Sequence, residues 1–202
     1  MTATAPESVN PRAQARASVR AKIAQSVFTI FAERGFEETT ASEAAEAAGI
    51  SRASFFRYFS SKEEAVFAAQ EAMGEEIAAA LGERPAGEDT WTALRRAFDA
   101  AVRNYERSPT ETLKRVRLAR GTPALRAHEL ERQEQWRVMI SVELAPRLDL
   151  EPGDLRAEAV AGAAMAAFSA AVTSWAEQGE RSDLIGLIDE SFAAVREFLP
   201  RG

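Results

Sequence analysis

Three helix starts crowd into residues 39–65, which read TTASEAAEAAGISRASFFRYFSSKEEA. Thr40 followed three residues later by Glu43 has the form of a capping box, in which a hydroxyl and a carboxylate satisfy each other's helix-end amides. Ser61 with Glu64 repeats the pattern, and Ser51 stands between them as a further N-cap candidate. Gly49, just before apolar Ile50, supplies the positive φ that lets a chain leave one helix and turn sharply into the next. Ala44, Ala45 and Ala48 give the helix before that turn a face of methyl groups, which lets two helix backbones cross closely. A small helix, a glycine turn and a further helix are the parts of a helix-turn-helix.

The helix after the turn is dense in rings. Phe55, Phe56, Tyr58 and Phe59 fall within five consecutive positions, with Arg57 among them. A short helix buries about one stripe of side chains, so these rings must go around it and some must face something other than the core. Phe55 and Phe59, one turn apart, suit packing on the first helix, leaving Arg52, Ala53, Ser54, Phe56 and Arg57 for the remaining circumference. That outer set suits DNA. Small Ala53 and Ser54 let the helix lie deep in a groove, and Ala53 can touch a thymine methyl. Arg52 and Arg57 can reach guanine or phosphate, and Phe56 can lie against sugar or a thymine methyl. Tyr58 offers a hydroxyl to phosphate, as the next helix's first amides and the Lys62 ammonium offer their protons. An aromatic cluster taken alone is more often core, but the caps, the glycine turn and the local charge all point to one motif.

The charge needs reading by segment. The chain carries −6 overall, which argues against nucleic acid, yet residues 47–62 hold Arg52, Arg57 and Lys62 with no acid. There is no cysteine and a single histidine, His128, so neither a disulfide framework nor a Cys/His metal cluster is expected, and no cofactor. The first residues lack an apolar leader core, and no later stretch approaches the roughly 18 uncharged apolar residues of a membrane span, which leads us to expect a soluble, cytoplasmic protein without a membrane partner.

Helical period runs through nearly the whole chain, and alanine, leucine, glutamate and arginine dominate, so the expected fold class is all-α. We expect a disordered arm over residues 1–16 bearing Arg12 and Arg16, a three-helix DNA-binding domain over residues 17–64, and a larger helical domain over residues 65–202. The first helix should run from about Ser18 to Arg34, burying Ile23, Val27, Ile30 and Phe31.

On the residues just quoted, the chain resembles the TetR family of bacterial transcriptional regulators. Similar to the family pattern are the paired threonine before the second helix, alanine-glycine in the turn, an aromatic pair three apart, and Ser-Lys-Glu opening the fourth helix. The resemblance covers about residues 18–68. It implies DNA contacts from Thr40 and Ser42, from Ser51, Arg52, Ala53 and Ser54, from Phe56, Arg57 and Tyr58, and from Lys62. Family members usually carry tyrosine where Phe56 stands, so one phosphate hydrogen bond is missing here, and isoleucine is common at the place of Ala44. The resemblance further implies a repressor that binds a palindromic operator as a homodimer and is released by a small-molecule effector wedged between helices 4 and 7, which tilts helix 4.

Past Lys62 the period predicts one helix to Gly82 with Val66, Met73, Ile77 and Leu81 inward, then another carrying Trp91, Leu94, Phe98, Val102 and Tyr105. Ser108–Pro109 and Thr122–Pro123 each read as an N-cap with proline at the first helical position. Two apolar helices follow, separated by Gly179. Resemblance to the family implies that this last pair forms a four-helix bundle with its copy in a second subunit, and Val160, Ala164, Phe168, Val172, Leu187, Ser191 and Val195 are the candidate interface. Met73, Trp91, Phe98, Tyr105, Arg103, Arg120, His128 and Trp136 are the candidates for an effector pocket.

Residues 95–126 contain nine arginines and lysines against three acids, amid acidic flanks. Two readings stay open: a solvated face paired with the acidic helices, or the mouth of a site for an anionic amphiphile such as an acyl thioester. An enzyme is the competing class and fares poorly. There is no glycine-rich phosphate loop, and HELER at His128 lacks the second histidine of a zinc-protease helix. A helical binding or adaptor protein without effector control is the other alternative.

Overall fold

The computed structural model describes residues 11–197, and among these it is helical throughout, with no strand. It divides into two compact units, Met1–Ala69 and Gln70–Gly202. The first holds α1 (Pro11–Arg34), α2 (Ala41–Ala47), α3 (Arg52–Tyr58) and α4 (Lys62–Phe67). Most of the arm expected over residues 1–16 lies outside the described residues, but its last six residues do not form an arm. Helix α1 begins at Pro11, not near Ser18. Proline is pre-organised for a first helical turn, and the alanines, arginines and glutamine after it favour helix without needing burial.

Val27, Phe28, Phe31, Phe36, Ala44, Ala45, Phe55 and Phe59 form the interior of this unit. Phe31 packs on Phe36 at 5.1 Å and Phe55 on Phe59 at 5.3 Å between ring centres. Ile23, expected inside, is only half-buried, while Phe28 is fully enclosed.

The helix expected to run unbroken from Lys62 to Gly82 is interrupted. Helix α4 ends at Phe67, a 3-10 turn covers Ala68–Gln70, and α5 (Met73–Gly82) follows. No glycine or proline marks the break, so the apolar period alone could not reveal it. The next expected helix is likewise two, α6 (Thr90–Ala97) and α7 (Asp99–Glu106), because Phe98 at φ −69°, ψ −7° departs from helical ψ. Its inward residues keep their spacing: Trp91, Leu94, Phe98, Val102 and Tyr105 are all buried. Then come α8 (Pro109–Gly121), α9 (Pro123–Leu144), α10 (Leu155–Gln178) and α11 (Leu184–Arg196). Pro109 and Pro123 open α8 and α9 as expected, but the Ser108 and Thr122 hydroxyls do not cap them.

Aromatic rings run through the core of the second unit. The Trp91 indole donates to the Phe192 carbonyl at 2.9 Å and packs on its ring. Phe98 lies between Phe192 and Phe168, stacked on the latter at 4.8 Å. Tyr105 follows, 6.0 Å from Phe168 and nearly parallel to Trp175. Elsewhere α5 meets α9 at Gly74, where an added Cβ would sit 2.3 Å from Cδ1 of Trp136, so only glycine allows this approach.

Helix α10 corrects two expectations. It is long and apolar enough to cross a bilayer by length and composition, contrary to the sequence reading; its alanines raise hydropathy while the helix lies within the core. Three of its four candidate interface residues, Ala164, Phe168 and Val172, are buried inside the chain itself, on the face of the helix that packs into the unit's own interior. Its exposed positions instead include Ala159, Ala166 and Ala170. Val160, Leu187, Ser191 and Val195 remain half-buried, and the Ser191 hydroxyl donates to Ile188 within α11.

Helix α6 is capped by Asp89, which accepts from the Thr92 hydroxyl at 2.7 Å, the Thr92 amide at 2.9 Å and Arg196 at 2.7 Å. The Thr92 hydroxyl first, then Arg196 and the Thr92 amide, lower its pKa to about 2. A carboxyl depressed in the folded state stabilises above its unfolded pKa, and that contribution is lost as pH falls through the folded value. The melting temperature of Asp89→Ala should therefore lie below wild type at neutral pH, the gap narrowing from about pH 4 to about pH 2. A gap unchanged across that window would mean the cap acts without its charge.

Candidate nucleic-acid interface

The turn between α2 and α3 forms as the local chemistry dictates. Thr40 Oγ1 accepts from the Glu43 amide at 3.2 Å, while the Thr40 amide and hydroxyl donate to the Glu43 carboxylate at 2.8 and 2.7 Å, completing a capping box. Those hydrogen bonds, the hydroxyl's first, hold the Glu43 carboxyl below its ordinary range. At the other end Gly49 takes φ +74°, its amide donating to Glu46 and that of Ile50 to Ala45, both at 2.9 Å. This is a Schellman closure, and it aims the chain into α3.

Ser51 caps α3 by accepting from the Ser54 amide at 3.1 Å. Its hydroxyl donates onward to Ser54 Oγ at 3.0 Å, which also accepts from Arg57 Nη2 at 3.3 Å. Phe55 and Phe59 are fully enclosed, whereas Arg52, Ala53, Phe56 and Arg57 are exposed, Phe56 at 46 %. The outward face thus divides as its residue types suggest. Arg52 lies over the Phe56 ring at 5.6 Å and Arg57 over the Tyr58 ring at 5.2 Å, pairs that pre-order two guanidinium groups at the surface. Ser54 and Tyr58 are half-buried beside them, as is Ser42 on α2.

Two residues behave differently from the sequence reading. The Lys62 ammonium, expected at a phosphate, donates to the Phe36 carbonyl at 2.8 Å and sits 4.1 Å from the Phe36 ring centre. The second capping box is incomplete. Ser61 accepts from the Glu64 amide at 3.1 Å, but the Glu64 carboxylate turns back to the Ser60 amide at 2.7 Å and to Arg20 at 2.8 Å. Burial works against ionising Glu64, yet the Ser60 hydrogen bonds and Arg20 outweigh it and lower its pKa. Arg20 also donates to the Tyr58 carbonyl at 3.2 Å and lies over the Phe59 ring. It therefore ties α1 to the end of α3 and the start of α4. Nothing local in the sequence signals this clamp, since its partners lie 38 and 44 residues away.

Lys62→Ala should accordingly destabilise the first unit by about 1–3 kcal/mol, read by denaturant titration or amide exchange in α1 and α4. Unchanged stability with a salt slope reduced by about one would return Lys62 to the role of phosphate contact.

The effector candidates do not converge. Met73, Trp91, Phe98, Tyr105 and Trp136 are buried, but Trp91 is fixed on Phe192 and Trp136 lies under Arg132 beside Gly74. Arg103 is exposed, and exposed Arg120 binds the Thr173 hydroxyl at 2.6 Å and Glu177 at 3.4 Å. His128 is half-buried. Of the basic stretch, Arg95 pairs with Asp189 and Asp99, and Arg117 donates twice to the Ala176 carbonyl. These arginines bind acids and carbonyls of their own unit. Arg115, by contrast, is buried.

Comparison with known proteins bears on both units. Residues 28–69 match the model for bacterial regulatory proteins of the tetR family, and residues 88–200, more than half of the chain, match the MftR C-terminal domain, a TetR C-terminal model. The chain belongs to the TetR family. The HTH-type transcriptional regulator TcmR of Streptomyces glaucescens is 33 % identical over 141 residues, covering 67 % of this chain and 62 % of that protein. The chain thus matches less than two thirds of TcmR's length. Thermus thermophilus FadR, a TetR-family repressor solved with lauroyl-CoA, is 24 % identical with a TM-score of 0.58, covering 91 % of this chain and 96 % of that one. PfmR, also from Thermus thermophilus, is 22 % identical with a TM-score of 0.51, covering 89 % and 99 %. At these identities the two solved structures establish the TetR fold.

Proposed function

We propose that this protein is a transcriptional repressor that binds a palindromic operator as a homodimer and releases it when a small molecule occupies the second unit. The observation that carries the reading is the outward face of α3, where Arg52, Phe56 and Arg57 stand exposed on a helix whose own apolar side is enclosed. A surface of paired guanidinium and aromatic groups, flanked by small Ala53 and Ser54, suits the major groove and its phosphate walls. Family membership supports DNA as the partner and the cytoplasm as its location. A two-fold dimer sets two such helices about one DNA turn apart, roughly 34–36 Å, and a palindrome mirrors that symmetry. The alanine-lined outward face of α10, together with half-buried Leu187 and Val195 on α11, suits close pairing with a second copy.

The effector is an acyl compound on this reading, supported by the lauroyl-CoA held by FadR, a relative in fold. Enrichment from a random duplex pool tests the scheme. It should return inverted half-sites about one turn apart, and lauroyl-CoA should release the enriched duplex. Enrichment of single half-sites only would remove the dimer, and release by no acyl compound would remove this effector class.

A further inference from the structure

The packing of the first unit does not explain the early part of α1. Ala15, Arg16, Ala17, Ser18 and Val19 are all exposed, and five consecutive helical positions cover the whole circumference. Ala24 is the first enclosed residue among those described. The helix before it is therefore held by the propensity of its residues and not by burial. Its charge is one-sided. Residues 8–32 hold Arg12, Arg16, Arg20 and Lys22 and no acid, in a chain whose net charge is −6. Cations toward a helix N-terminus oppose its dipole, and α1 has no acid in its first turn, so helix stability does not call for them.

Arg20 fixes where this basic face points. It donates to the Tyr58 carbonyl at 3.2 Å and pairs with Glu64 at 2.8 Å, so this side of α1 meets the chain where α3 ends and α4 begins. Arg16, four residues earlier, projects from the same side about 6 Å further along the axis. It is exposed and makes no hydrogen bond or ion pair among the described residues. Arg16 thus flanks the end of the helix that presents Arg52, Phe56 and Arg57. The two charges that could have served or opposed an anion at this junction are both occupied: Lys62 by the Phe36 carbonyl, and Glu64 by Arg20 and Ser60.

We propose that the early part of α1 is a further DNA contact, in which Arg16 pairs with the phosphate backbone just outside the base pairs that α3 reads. This rests on the DNA-binding reading above and adds to it an element outside the helix-turn-helix. The partner is phosphate and not a base, because Arg16 stands beyond the end of α3 and a guanidinium takes two phosphate oxygens at once. Such a contact adds affinity without sequence preference, and it releases counterions, so salt dependence reports it.

The test uses the full chain, its Arg16→Gln variant and, as a control, Lys22→Gln, which removes an exposed cation roughly 120° away around the same helix. Anisotropy titrations over a range of salt are made on the enriched duplex trimmed to its half-sites, and on the same duplex with about half a turn, roughly five base pairs, added at each end. On the longer duplex Arg16→Gln should weaken binding about tenfold and lower the salt slope by about two, one phosphate for each copy in the dimer. On the trimmed duplex it should match wild type, and Lys22→Gln should match wild type on both. Melting temperature should not change in either variant. An unchanged slope in Arg16→Gln, an equal loss on both duplexes, or an equal effect of Lys22→Gln overturns the inference while leaving α3 as the reading helix. Failure of wild type to hold any duplex sinks the DNA-binding reading and this contact with it.

Discussion

Arg57→Ala should lower affinity for the preferred duplex by about 1–3 kcal/mol per half-site, and the loss should be largest on the best sequence. In a two-fold dimer both half-sites lose the contact, so the total is about 2–6 kcal/mol, or roughly thirtyfold to ten-thousandfold in Kd. The fold should survive, because Arg57 is exposed and its hydrogen bond to Ser54 and its contact with Tyr58 are surface interactions. Anisotropy titrations on the enriched duplex and on a scrambled one separate the possibilities. Loss confined to the enriched duplex assigns a base to Arg57, whereas equal loss on both assigns phosphate.

Phe168→Ala should destabilise the second unit by about 3–5 kcal/mol, comparable with the whole stability of many domains. Phe168 is 4 % exposed, stacked on Phe98 and close to Tyr105, so truncation opens a cavity in the middle of the ring series. The effect also distinguishes a core residue from an interface residue. A core truncation lowers the unfolding midpoint equally at every protein concentration, while loss of a dimer contact shows as a midpoint that depends more steeply on concentration. Concentration-independent loss is expected. Near-neutral stability with weakened dimerisation would return Phe168 to the interface that its helical position suggested.

The parts of the fold legible in the sequence were those whose chemistry is local. A hydroxyl three residues before a carboxylate, a glycine between two helices and a proline at a helix start act on their own backbone neighbourhood, so Thr40, Gly49 and Pro109 stand as read. What escaped depends on partners distant in the chain. Lys62 looks like a free cation until the Phe36 carbonyl is brought beside it, and Glu64 looks like a capping-box acid until Arg20 arrives from α1. The breaks after Phe67 and at Phe98 interrupt helices without a breaker residue and leave the apolar spacing intact.

Charge was harder still to place. Arg103, Arg115 and Arg120 are equivalent by composition, yet one is enclosed and two lie at the surface, since their positions on the helices decide which can turn inward. Counting residues on α10 likewise could not say which of its faces the chain keeps for itself. Met165, Phe168, Val172 and Trp175 went inward with several alanines, and other alanines, Ala159, Ala166 and Ala170, stayed exposed.

Hydrogen–deuterium exchange of the full chain with and without the enriched duplex tests the central claim most directly, because it reports where DNA lies without altering a residue. Slowed exchange should concentrate at the start of α2 and across residues 51–58, with the second unit little changed. Protection that spares α3, or a duplex that leaves the whole first unit exchanging as before, would contradict the assignment of this helix as the surface that reads DNA.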